Sequence, residues 1–154
     1  MCRKPKATSP PGPTPPTCIS MHCFTRGVKP GQIPDPALLY SDDREVRIFD
    51  ANRWRLSHNL PGIVEGLMGR KCFHTGYGNF LTIEILNPQD HTIVKHEVYF
   101  EVSRSTRRGV LNLFIQSAYV REGANACGKR RHNPPIRFSF ILHNTVNNIA
   151  IKVP

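Results

Sequence analysis

LFIQSAYVR, Leu113 to Arg121, begins as a buried strand should and ends as one should not. At the two-residue period of a strand, Leu113 and Ile115 face one side and Phe114 the other. The same period carries Ser117, Tyr119 and Arg121 onto the side of the aliphatics. The first half reads as core strand. The second half reads as the place where the strand leaves the core and presents a hydroxyl, a phenol and a guanidinium.

The neighbouring segments supply partners for it. HEVYFEV alternates Val98, Phe100 and Val102 against Glu97, Tyr99 and Glu101, and SRSTRRG joins it to the quoted strand as a turn. Upstream, FLTIEIL sets Leu81, Ile83 and Ile85 against Thr82 and Glu84, with NPQDH as the turn between. Downstream, RFSFIL alternates Phe138, Phe140 and Leu142 with Arg137, Ser139 and Ile141 and reads as a further strand. Consecutive strands with short connections predict an antiparallel meander.

Before the strands the period changes. Asp50 is placed to N-cap ANRWRLSH, with Trp54 read as core. Asn59 followed by Pro61 opens a second helix through Leu67 and Met68, ended by Gly69, with Ile63, Val64 and Leu67 on one face. The fold class expected is therefore α+β, with one or two N-terminal helices packed on a four- to five-stranded antiparallel meander. Residues 41–154 form that single domain. Residues 1–40 read as a Pro-rich leader or linker, poorly structured or extended, because nine of the 14 prolines fall at or before Pro36.

The 154 residues carry a formal net charge of +10, which predicts a polyanionic partner, RNA first among them. No apolar run approaches the ~18 residues of a membrane span, so no membrane partner is expected. The N-terminus has no apolar signal region, and the five cysteines form no CxxC pair, which points to reduced thiols in the cytoplasm. Seven dispersed histidines give no metal-ligand spacing. GxxxxGK[ST], GxGxxG and HExxH are absent, and neither a metal nor any other cofactor is expected.

What remains is polar residues tied to strand ends. If HEVYFEV and the quoted strand pair as a hairpin, hydroxyls and guanidiniums gather at one end of the sheet. Metal-independent RNA cleavage needs a base for the 2′-OH, an acid for the leaving oxygen, and fixed positive charge on the transition state. His58, Arg104, Ser117 and Tyr119 are the candidates for those roles. Arg107 and Arg108 of the turn, with Arg121, Lys129, Arg130 and Arg131 of the following basic loop, are candidate nucleic-acid contacts.

The run LSHNLPGIVEGLMGRK, then HTGYGNFLTIEIL, HEVYFEV, a basic turn and a strand ending QSAYV resembles the barnase–EndoU–colicin–RelE-like group of small bacterial and phage ribonucleases. The resemblance spans roughly residues 44–121 and implies two helices followed by a four-stranded antiparallel sheet. Under it, His58 matches the helix histidine, Ser117 and Tyr119 match the strand ending, and Arg104 or Arg107 stands for the transition-state cation. It implies a cytoplasmic endoribonuclease, a toxin held by an acidic antitoxin or immunity protein. Two rival readings fit the same residues: a non-catalytic basic nucleic-acid-binding module, and a regulatory domain docking an acidic protein.

Overall fold

The computed structural model describes residues 15–86, 94–120 and 133–152. Its centre is the hairpin of β7 (Val94–Arg104) and β8 (Leu111–Val120). The turn between them is closed by the Ser105 amide donating to the Val110 carbonyl at 2.9 Å. It is helped by Gly109 at φ +77°, a backbone region that disfavours side chains.

The pairing register explains the quoted stretch. Val98 sits opposite Ala118 and Tyr99 opposite Ser117, but the next residue, Phe100, sits opposite Ile115. Gln116 is therefore an extra residue in β8, a β-bulge. A strand that gains one residue exchanges its faces beyond that point. Leu113, Ile115 and Ala118 consequently share the buried face, each about 1% exposed, while Ser117 and Tyr119 turn to the other side. The hydroxyls are not aimed where the aliphatics are buried.

The sheet extends outward from this hairpin. β6 (Phe80–Leu86) pairs with β7, β5 (Lys71–His74) with β6, and β9 (Ile136–Arg137) with β5, all antiparallel. On the far side of β8 lies β1 (Thr17–Ile19), which runs parallel to it with Thr17 opposite Leu113. The order is β1-β8-β7-β6-β5-β9, a mixed sheet. A second sheet takes β2 (Thr25–Gly27), β4 (Val46–Phe49) and β3 (Leu39–Ser41) in the order β2-β4-β3. Residues 15–40, read as a leader that is poorly structured or extended, contribute short strands to both sheets.

Three short helices complete the described residues: α1 (Ala51–Ser57), α2 (Leu60–Glu65) and α3 (Phe138–Val146). Asp50 caps α1 as expected, its carboxylate accepting from the Arg53 amide at 3.0 Å. Ile63, Val64 and Leu67 are buried together as their spacing predicts, although α2 ends at Glu65 and a 3-10 turn carries Leu67 to Gly69. Leu60, Ile63 and Leu67, with Phe138 and Ile141 of α3, cover Phe80, Val98, Phe100, Leu113 and Ile115 on one face of the large sheet. Phe100, fully buried, packs against Phe80 at 5.8 Å and Phe138 at 5.9 Å between ring centroids. Burying such a ring contributes about 1.5–3 kcal/mol.

The predicted α+β class, N-terminal helices on a four- to five-stranded antiparallel meander, is overturned. The chain is mostly strand: a mixed six-stranded sheet, a three-stranded sheet, and a C-terminal helix over the core. Two physical causes account for this. Three-residue strands such as β1 and β2 are too short to show alternation. RFSFIL is a helix beyond Arg137, because Phe138 and Ile141 bury at i and i+3 while Phe140 is 48% exposed. A short apolar run fits either period. Among the described residues no helix is long and apolar enough to cross a membrane.

Candidate nucleic-acid interface

β8 carries Ser117 and Tyr119 on the face away from the core that α2 and α3 cover, with Tyr99 and Glu97 opposite them on β7. The Tyr119 ring stacks on Tyr99 at 5.7 Å and 14°, and the Tyr99 hydroxyl donates to Glu97 at 2.7 Å. Gln116, the bulge residue, bridges Asn79 of the β5–β6 turn and Glu101 of β7. Arg53 reaches this cluster, its guanidinium 5.1 Å above the Tyr119 ring. It also donates to the carbonyls of His22 at 3.2 Å and Thr25 at 2.9 Å. Burial lowers the Arg53 guanidinium from its ordinary value, and the Asp50 carboxylate opposes that shift.

Arg53 escaped the sequence reading. It stands in the first turn of α1, and no periodicity says that this turn meets the end of β8. His58, at the other end of α1, is tied to its own helix, its Nδ1 2.9 Å from the Trp54 carbonyl and its ring edge-on to Trp54 at 4.5 Å. Trp54, expected in the core, is 49% exposed.

Arg104 is elsewhere. It pairs with Leu111 at the turn end of the hairpin, whereas Tyr119 pairs with Glu97 seven residues back along β7. At ~3.3 Å per residue that is roughly 20 Å, far beyond one phosphate's reach. Ser117 and Tyr119 come together; Arg104 does not join them. Arg121, Lys129, Arg130 and Arg131 lie outside the described residues.

Arg104, Arg107 and Arg108 instead share a place of their own. All three are exposed, and they line one open cavity of about 680 Å³ with Ser105, Thr106 and Val146, with no acidic side chain among the described residues. The turn beneath them is fixed, with the Arg107 amide donating to Ser105 Oγ at 3.2 Å and the Val110 amide to the Arg107 carbonyl at 3.2 Å. α3 ends beside the cavity, and the carbonyls of His143, Asn144 and Thr145 are taken by the amides of Asn147, Ile149 and Asn148.

Among the described residues no three of His, Cys, Asp and Glu gather as metal ligands. The buried thiols of Cys23 and Cys72 are each pushed up to about 12 by desolvation and are protonated at neutral pH.

The YjaZ family model matches residues 19–146, and the chain belongs to that family. No curated protein and no solved structure matches it.

Proposed function

We propose that this member of the YjaZ family is a basic nucleic-acid-binding module of the cytoplasm that holds RNA through its phosphates. One observation carries the reading: Arg104 at the end of β7 and Arg107 and Arg108 of the turn after it line one open cavity with no carboxylate among the described residues, in a chain of net charge +10. Arg is suited to the role because its planar fork matches two phosphate oxygens. The free, buried Cys23 and Cys72 support a reducing compartment. Cleavage by His58, Arg104, Ser117 and Tyr119 as one centre is the weaker reading, since Arg104 stands apart from the two hydroxyls.

One incubation separates the alternatives. Purified chain and mixed RNA are combined at low salt with EDTA and run on native and denaturing gels. Retardation of intact RNA is expected. Fragments would favour the endoribonuclease, and equal cutting by His58→Ala and Tyr119→Phe would remove those residues from it. Absence of retardation would turn the arginine cavity toward an acidic protein, such as an antitoxin or immunity partner.

A further inference from the structure

Five rings run in sequence from the small sheet onto α1, each packed on the next. Phe24 meets Tyr40 at 5.6 Å, Tyr40 meets Phe49 at 6.4 Å, Phe49 meets Trp54 at 6.2 Å, and Trp54 meets His58 at 4.5 Å. The arrangement follows from the backbone. Tyr40 lies opposite Arg47, and Phe49, two residues farther along β4, shares that face of the sheet. Asp50 then starts α1, which lifts Trp54 and His58 into line with the strands. An aromatic row is ordinarily core, yet Tyr40 is 42% exposed and Trp54 49%. Large rings left half in water along one contiguous row mark an interaction surface.

We propose that this row is a base-stacking track for single-stranded nucleic acid, with Trp54 and Tyr40 each taking a base. The inference rests on the nucleic-acid reading above and names the form of ligand that it takes. Every base offers a π-face, so a row of rings suits any sequence, but only a strand whose bases are unpaired can present those faces. The charges nearby fit an anionic chain. Arg53 and Arg55 flank Trp54 in α1. Three carboxylates of this part of the chain are engaged by protein groups: Glu45 by His22 and Arg47, Asp50 by the Arg53 amide and by Arg26 at 3.8 Å, and Asp42 by the amides of Arg44 and Glu45. Arg53, the residue before Trp54 in α1, covers the Tyr119 ring of the Tyr119–Tyr99 stack on the large sheet.

Trp54 is the only tryptophan, so its emission reports the track directly. The full chain is titrated at low salt with a single-stranded RNA oligonucleotide and with a duplex of equal length. Anisotropy of labelled RNA gives affinities for the wild type, Trp54→Ala, Tyr40→Ala and Trp54→Phe, each checked for folding by circular dichroism. Saturable quenching by the single strand is expected, with little by the duplex. Each alanine variant should bind about 5- to 150-fold more weakly, the range that one base stack supplies, and Trp54→Phe should recover most of the loss. Binding of wild-type strength by both alanine variants overturns the track and leaves the nucleic-acid reading standing, as an apolar-peptide surface would require. Duplex binding as tight as single-strand binding, without quenching, also overturns it. No binding by the wild type removes both.

Discussion

Exchanging leucine into two adjacent positions of β8 measures which side each residue faces. Ala118 is 1% exposed and lies opposite Val98 in a cluster that includes Ile115, Phe100 and Cys23. Ala118→Leu forces extra carbons into filled space, a change that costs about 1–3 kcal/mol. Ser117 is half-buried on the opposite face, across from Tyr99. Ser117→Leu should fall within about 0.5 kcal/mol of the wild type, as changes away from a core do. A chain of this length loses about 2–4 °C of melting temperature per kcal/mol. Thermal melts followed by circular dichroism should therefore show Ala118→Leu clearly below the wild type and Ser117→Leu beside it. The reverse order would refute the bulge, because plain alternation from Ile115 points Ser117, not Ala118, into the core. Deleting Gln116 is a companion test. One residue fewer keeps Ile115 and Ala118 on the same face, so the variant should fold, losing only the bridge from Asn79 to Glu101.

Three further outcomes follow from the same geometry. Asp50→Ala removes the cap on the Arg53 amide and should cost about 0.5–2 kcal/mol in denaturant unfolding, loosening the helix that holds Trp54. His96 is fully buried with neither ring nitrogen bonded among the described residues, and desolvation lowers its pKa from the ordinary 6.5. The unfolded chain therefore takes up the proton first. Stability should be complete above about pH 6.5 and fall as pH drops below it, and His96→Leu should flatten that part of the profile. Peptide-level mass spectrometry after alkylation of the native protein should find Cys18 modified and Cys23 and Cys72 protected, with protection lost in denaturant.

Much of the central hairpin was legible from alternation. Val98, Phe100 and Val102 against Leu113 and Ile115 pair and bury as their spacing indicates, and the Asp50 cap is where a cap should be. The rest failed for identifiable physical reasons. A β-bulge has no sequence signature at Gln116, yet it decides where Ser117 and Tyr119 point. β6 is covered on both faces, so Leu81 and Thr82 are both buried and its alternation says little about the core side. Phe138 to Leu142 is apolar enough to satisfy either period, and only burial shows that it is helical. At the candidate interface, the turn arginines were chosen from charge alone, and the structure gathers them at one cavity. Arg53 and the exposure of Trp54 depend on how α1 docks between two sheets, a long-range packing that no local pattern encodes.

The salt dependence of RNA binding tests most directly the proposal that the arginine cavity holds phosphates. Affinity of a single-stranded RNA is measured from low to physiological salt for the wild type and for the triple variant Arg104→Gln, Arg107→Gln, Arg108→Gln. The wild type should bind at low salt, with log affinity falling linearly against log salt. The variant should bind more weakly, with a slope shallower by about 0.7 for each phosphate it no longer neutralises. Absence of binding at low salt, or a variant that matches the wild type in both affinity and slope, would contradict the account.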